Sequence, residues 1–409
     1  MKIFLGNINL AGQLSDIKTG FAKLGVDSIV ATNTKGGPGD MGQVDYNFSE
    51  HKYYEFKNVR PSKLQIALRD LFNIDGKVFR KALKECDVFI FMWDTFKYDY
   101  SDLALLKKKG KKVIHIFCGD DARWYFSEKQ EFESYGLRPL EYEDNYNYSA
   151  TYLDKKLQKL RSVEKFADFI FSRLDQAQLQ LRPYYRWNMM VLPEKYKHSP
   201  QQREKKPIIA HAPTSRKAKG TPYVLEAFER LKKEGIDFTP LLIEGVKNSE
   251  AIAMYESADI VIDQLIIPGT GKLATEALAL GKVVLAHMAY DKYPQKNPKE
   301  CPIVDVNPDN IYEVLKKLIL DPKLRGEIAS RGREFVINHL DTTIFCKKVL
   351  SLLNGEQVPF DYEPDFFQKN FIPESAEATS VYNKWNRFVE NENWYKAGVK
   401  KGERNGLVF

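Results

Sequence analysis

Two runs of alternating strand and helix patterns, separated by a charged tract rich in proline, restrict the fold of this chain more than any other feature. In the first run, strand candidates at Lys2–Leu5, Val26–Ala31, Asp87–Met92, Val113–Phe117 and Asp168–Ser172 are joined by helical patterns, with Leu14, Ile17, Phe21 and Leu24 recurring at spacings of three and four. Gly25 ends that first helix, a Gly-rich loop follows at Lys35–Gly39, and further helical patterns fall near 62–84 and 101–109. From Arg182 to Lys206, a tract containing Pro183, Pro193 and Pro200, neither period persists. The alternation then restarts with strands Pro207–His211, Thr239–Glu244, Asp259–Asp263 and Lys282–Ala286 around helices Thr221–Lys233, Ser249–Ser257 and Lys272–Leu280. Strands that alternate with helices imply parallel sheets, because parallel strands need a crossover between them.

With 409 residues the chain is longer than one hydrophobic core usually supports, so two doubly wound α/β domains are expected. We place them at 1–190 and 207–353, with a linker at 191–206. The pattern from Asn307 to Leu353 is helical throughout, and a tail from 354 to 409, carrying Trp385, Trp394 and many lysines, is expected to cross back to the first domain.

Composition narrows the function classes. An apolar fraction of 43% with 29% charged residues is that of a globular chain. No stretch approaches the ~18 to 20 apolar residues of a spanning helix, and the opening MKIFLGNINLAGQLSD turns polar too soon for a signal peptide. Cys86, Cys118, Cys301 and Cys346 have no CxxC spacing, which argues against a zinc site or disulfide framework and fits a reducing cytoplasm. A net charge of +7 suits anionic ligands or peripheral contact with the inner face of a membrane, and no compact nucleic-acid motif accompanies it.

In open parallel sheets, ligands sit beyond the carboxyl ends of the strands, where free amides at helix starts can meet phosphate. Pro268-Gly269-Thr270-Gly271 lies there, opening into the helix that carries Glu276. The glycines let a backbone approach a diphosphate, and a carboxylate at Glu276 can accept hydrogen bonds from vicinal ribose hydroxyls. The plainer alternative is a simple turn followed by a solvated glutamate. Ser215-Arg216-Lys217-Ala218-Lys219-Gly220 follows the neighbouring strand, so its cations either neutralise a leaving diphosphate or form ordinary surface. His211 and His287, at strand ends, read first as core residues.

The stretches HAPTSRKAKGTPYVLEAFERL and ESADIVIDQLIIPGTGKLATEALALGKVVLAH resemble the donor-binding half of glycosyltransferase family 4, over roughly 207–350. The resemblance implies the GT-B fold, two Rossmann-like domains facing across a cleft, and retaining transfer of a sugar from a nucleoside diphosphate, UDP or GDP, to a saccharide or lipid-linked acceptor. It further implies that Arg216 and Lys219 hold the diphosphate and assist catalysis, that Gly269, Thr270 and Gly271 approach sugar and phosphates, and that Glu276 binds the ribose. Gly245 and Val246 would contact the base, and Gly12, in Ala11-Gly12-Gln13, would near the diphosphate from the first domain.

His115-Ile-Phe-Cys-Gly-Asp-Asp-Ala-Arg123 resembles the segment where acceptor and donor sugar meet in related enzymes. Asp120 there either orients an acceptor hydroxyl or caps the following helix. The chain departs from the family in three places. Pro268 replaces a sugar-contacting glutamate, Cys118 replaces a histidine, and Thr214 stands where the spacing of the basic pair puts its first member.

Resemblance implies that the departing phosphate takes the acceptor's proton and that no metal or cofactor takes part, as the absence of a DxD motif also suggests. Cell-surface polysaccharide or glycolipid assembly is the expected context. The rival readings are a sugar-nucleotide epimerase or hydrolase on the same scaffold and a non-catalytic nucleotide-sugar-binding protein. Acceptor choice is expected to lie in first-domain loops such as 33–60 and 119–150.

Overall fold

The computed structural model describes residues 1–33, 42, 44–47, 74–140, 148–200, 206–293, 300–363 and 374–400. The glycine-rich loop 35–39, most of loop 33–60 and the first part of the helical pattern at 62–84 lie outside them.

The first sheet is built from β1 (Lys2–Asn7), β2 (Asp27–Thr32), β3 (Tyr46–Asn47), β4 (Val88–Met92), β5 (Lys112–Ile116), β6 (Phe169–Ser172) and β7 (Tyr185–Arg186), in the spatial order β3-β2-β1-β4-β5-β6-β7. Each pairing is parallel. Central strands of such a sheet are covered on both faces, which is why Val88–Met92 is apolar without alternation and buried at every position. Its described helices are α1 (Gln13–Lys23), α2 (Ile74–Glu85), α3 (Ser101–Lys108), α4 (Tyr125–Ser134) and α5 (Ala150–Phe166). Ser149 caps α5 by accepting from the Tyr152 amide.

The second sheet has β8 (Ile208–His211), β9 (Thr239–Leu242), β10 (Ile260–Ile262), β11 (Val283–Ala286) and β12 (Val304–Asp305), in the order β12-β11-β10-β8-β9. Around it run α6 (Arg216–Lys219), α7 (Thr221–Lys233), α8 (Asn248–Ser257), α9 (Lys272–Leu280), α10 (Ile311–Leu320) and α11 (Pro322–Phe335). The chain reverses its direction of winding between β1 and β4 in the first sheet and between β8 and β10 in the second. Those two switch points open crevices at the carboxyl ends of their strands, the places such sheets offer to ligands.

Two crossings join the halves, and they pair with each other. The Val191 amide donates to the Leu340 carbonyl at 3.1 Å and the Thr342 amide to the Val191 carbonyl at 2.9 Å. After Asp341, which caps it, α12 (Thr342–Leu353) packs on α1, and Phe345, Cys346 and Val349 share one buried cluster with Ile3, Leu14 and Phe21. Gly20 permits the approach, since a Cβ there would stand 2.7 Å from Cys346 Sγ. The sequence reading kept 342–353 with the second unit; the helix lies instead on the first, because amphipathic periodicity specifies that a face is buried and not against which core. Beyond it α13 (Ala376–Val389) packs along α5, where buried Arg161 meets Glu164 and Asn386, and α14 (Asn393–Lys400) follows. No described helix is long and apolar enough to cross a membrane.

Candidate functional site

The carboxyl ends of β8 and β10 bring the two predicted loops of the second half together. Lys219, in the last turn of α6, extends its ammonium to Asp263 at the end of β10 and to Gln264 Oε1 at 3.0 Å. Asp263 is fully buried, and its other carboxylate oxygen accepts from the Gly271 amide at 2.6 Å. Gln264 in turn donates to the carbonyls of Ile267 and Gly269, both at 2.9 Å, which fixes the course of the glycine loop. Gly269 has φ +113°, a conformation that L side chains rarely adopt, and a Cβ at Gly271 would come within 3.0 Å of Lys219 Nζ. Lysine has three donors, and among the described residues two are occupied here.

Arg216 stands at the exposed edge, where its Nε and Nη2 reach the Glu244 carboxylate at 2.9 and 2.6 Å. The pair is largely in solvent, so a ligand phosphate can draw the guanidinium away at little cost. Gly245 and Val246 follow Glu244 in the loop beyond β9, and nothing lies within 4 Å of the space a Cβ at Gly245 would take. Glu276 is 2% exposed on α9, with Tyr196 donating to it at 3.2 Å. Burial pushes its carboxyl up to about 7, against the favourable charge of Lys272 and the Tyr196 hydroxyl.

Facing these loops, the crevice of the first sheet presents two features. Ala11 and Gly12 take left-handed conformations (φ +48° and +74°) at the start of α1. Asp16 on that helix binds both Lys272 Nζ (3.0 Å) and Lys195 Nζ (2.6 Å), so α1 and α9 are joined by charge. The loop after β5 carries Asp120 at its surface, held by Arg123 Nη1 at 3.1 Å. Asp120 does not cap the following helix, α4, whose N-cap is Trp124 with no side-chain cap bond. Its buried neighbour Asp121 closes the loop behind it, accepting from the Cys118 amide at 3.0 Å and the Gly119 amide at 2.7 Å. Burial raises the Asp121 carboxyl above the ordinary carboxylate range.

Between the two sets of loops lies a charge network that sequence reasoning missed. Arg123 contacts Glu128 at 2.9 Å and Asp175 at 3.8 Å, Asp175 accepts from Arg173 Nε at 3.2 Å, and Arg173 Nη1 donates to the Thr270 carbonyl at 2.8 Å. Arg123, Arg173 and Asp175 are all buried. Asp263 had been read as the end of a strand and Asp175 was assigned to no element, and no local pattern marks either. Of the two histidines, His211 bridges the Ile262 carbonyl (3.0 Å) and Thr221 Oγ1 (2.9 Å), and His287 meets the Ile266 carbonyl (2.8 Å). Both brace the loops from within. Among the described residues, no three or more His, Cys, Asp or Glu side chains gather as metal ligands would.

The architecture has counterparts among solved structures. A sucrose-phosphate synthase from Thermosynechococcus elongatus is similar over 87% of this chain and 99% of its own, with TM-score 0.58 and 11% identity. A glycosyltransferase from Rickettsia africae matches with TM-score 0.55 at 14% identity over 87% of this chain and 97% of its own. Anabaena HepE, solved in complex with UDP, matches with TM-score 0.53 at 13% identity over 87% of this chain and all of its own. No protein-family model and no curated protein sequence matches the chain. At these identities the likeness is one of architecture, and with its two parallel sheets the chain has the GT-B fold.

Proposed function

We propose that this chain is a glycosyltransferase, of the family 4 type, that moves a sugar from a nucleoside diphosphate to a hydroxyl of a saccharide or lipid-linked acceptor with retention of configuration. One observation carries the reading: Lys219, Asp263, Gln264 and the Gly269–Gly271 backbone are interlocked at the switch point of the second sheet, with one lysine proton uncommitted among the described residues. A cation fixed in this way is preorganised for charge that develops on a leaving diphosphate. HepE was solved with UDP, and an alpha-glucosyltransferase of similar fold, TM-score 0.52, with UDP-glucose and DNA, which supports UDP as the first donor base to try.

In this reading the unit built on the second sheet holds the donor, and the unit built on the first receives the acceptor. Lys219 and Arg216 neutralise the diphosphate, Glu276 accepts from the ribose hydroxyls, and Gly245 and Val246 border the base. Gly12 approaches the diphosphate from the other side. The bond between the anomeric carbon and the phosphate oxygen breaks as the acceptor oxygen bonds to that carbon on the same face. The acceptor's proton passes to the departing phosphate, so Asp120 need only orient the acceptor hydroxyl. Lys219 and Arg216 supply the positive charge, which makes a metal dispensable in this scheme. Cell-surface polysaccharide or glycolipid assembly, on the cytoplasmic side of a membrane, remains the context we favour.

The test is thermal unfolding in the presence of nucleoside diphosphates and their sugars, on the parent chain and on Lys219→Ala and Glu276→Ala. A ligand that binds only the folded state raises the midpoint. A rise with one diphosphate family, lost in both variants, is the expected result, followed by NMR of the transferred sugar's anomeric configuration. No rise with any of them would sink the donor assignment, and binding without turnover would leave a nucleotide-sugar-binding protein.

A further inference from the structure

The carboxyl edge of the first sheet carries two buried lysines that the scheme above does not use. Lys156 and Lys159 lie one turn apart on α5, only 9% and 8% exposed. Lys159 is satisfied, donating to the Trp93 carbonyl at 2.9 Å and lying 3.4 Å from Asp94. Lys156 is not: its ammonium rests 4.7 Å from the centroid of the Tyr152 ring and makes no hydrogen bond or ion pair among the described residues. Lysine is rarely buried to this extent without a partner, because removing an ammonium from water is expensive unless a counter-charge replaces the lost hydration.

The neighbouring carboxylates do not provide one. Asp121 is engaged by the Cys118 and Gly119 amides, and Asp120 by Arg123. Glu128 and Asp175 are held by Arg123 and Arg173. Lys156 is nevertheless near enough to Asp120, Asp121 and Arg123 for their charges to act on it, which places it beside the loop we assign to the acceptor. Desolvation and the charge of Lys159 pull its ammonium down to about 7, the behaviour of a cation still lacking an anion.

We propose that Lys156, with Lys159 behind it, forms a subsite for an anionic group, a phosphate or a carboxylate, on the acceptor. The inference rests on the glycosyltransferase reading for the word acceptor, while the anion site itself does not. A point-like ammonium suits either anion.

The full chain, saturated with UDP so that the diphosphate site is filled, would be titrated with inorganic phosphate and separately with acetate against chloride at equal ionic strength. The proposal expects one of these anions to raise the unfolding midpoint of the parent chain, and Lys156→Met to weaken its apparent affinity about tenfold or more. A phosphate response identifies a phosphorylated acceptor, an acetate response a carboxylated one. Equal responses in parent and variant, or none beyond chloride, would overturn it. Should Lys156→Met fail to fold, NMR titration of the parent chain's lysine side chains serves instead. The lysine that titrates near neutrality must move upward on adding the anion, and an unmoved titration overturns the proposal. Failure of the donor reading appears separately, as the absence of any response to UDP itself.

Discussion

Arg173 Nη1, just beyond the end of β6, donates to the carbonyl of Thr270 in the glycine loop of the other half at 2.8 Å, across 97 residues of sequence. The same guanidinium holds Asp175, and Asp175 faces Arg123, which also holds Asp120 and Glu128. The loop assigned to the acceptor and the loop assigned to the donor are therefore two ends of one buried chain of charge. With Lys272 bound to Asp16, each side of the glycine loop is tied to the first sheet.

Replacing Arg173 by methionine removes that tie, takes the donor from a buried carbonyl and takes one cation from Asp175. Hydrogen bonds from charged groups contribute about 1.5–3 kcal/mol, so the Arg173→Met chain should lose stability of that order, seen as a lower denaturant midpoint at unchanged slope. Chemical denaturation measures it. An unchanged midpoint would mean that the contact between the halves adds nothing to stability.

Lys219 and Asp263 allow stability and ligand binding to be separated. Lys219→Met strands a fully buried carboxylate and is expected to cost about 3 kcal/mol, as broken buried pairs do. Adding Asp263→Asn removes the stranded charge while keeping an oxygen for the Gly271 amide, so most of the loss should return. Nucleoside diphosphate binding, followed by calorimetry, should be absent from both variants. Recovery of binding in the double variant would show that Lys219 is not the phosphate ligand.

Much of the scaffold was legible because its strands and helices are stabilised locally and by burial of one face. Thr221–Lys233 and Lys272–Leu280 emerge as read, the strand read from Asp87 begins one residue later at Val88, and the glycine loop and Lys219 meet where the alternation put them. The stretch between Ser172 and the charged tract that begins at Arg182 was opaque for a physical reason. It is held by side-chain to backbone bonds with other parts of the fold: Gln176 Nε2 donates to the Phe117 carbonyl at 2.9 Å, and Glu164 accepts from the Arg182 amide at 3.1 Å, so no period records its burial. Asp263 was invisible as a ligand of Lys219 because an aspartate ending an apolar strand resembles a boundary residue. Glu276 was singled out for the ribose, but its partner Tyr196 comes from the linker tract, 80 residues away, and its burial could not be read from helix periodicity.

Three buried carboxyls each contribute a pH dependence of definite sign, opposed by the buried ammonium of Lys156 and the imidazoles of His115 and His211, whose pKa values burial lowers. Burial raises Asp102 to about 7, Glu131 to about 8 and Glu276 to about 7, all above their ordinary values. The unfolded chain ionises these groups at lower pH, so between about pH 5 and 8 the folded state binds more protons at them, and their contribution to stability falls as pH rises. The thermal midpoint should therefore carry a declining contribution from these three carboxyls across that interval, which single substitutions isolate. Glu131→Gln, which keeps a neutral acceptor opposite Gln178, should flatten the decline between pH 7 and 8; an identical slope in the variant would remove Glu131 from the account.

Glu276 makes a second prediction about protons, this time in binding. Its carboxyl, pushed up to about 7 by burial, is substantially protonated at pH 6. Ribose hydroxyls donating to it would favour the ionised form, so the bound state should have a lower pKa and binding should expel a proton. Affinity for the nucleoside diphosphate is therefore expected to rise from pH 6 to pH 8, by roughly tenfold for each unit the pKa falls, and to level off above the pKa of the free protein. Calorimetry in buffers of different ionisation enthalpy reads the released proton directly. Glu276→Gln should bind more weakly at pH 8 and lose both the proton release and the slope over this range. If the glutamine variant kept the same slope, another group would be responsible, and Glu276, enclosed by Tyr196, would be a structural side chain of the helix that carries it.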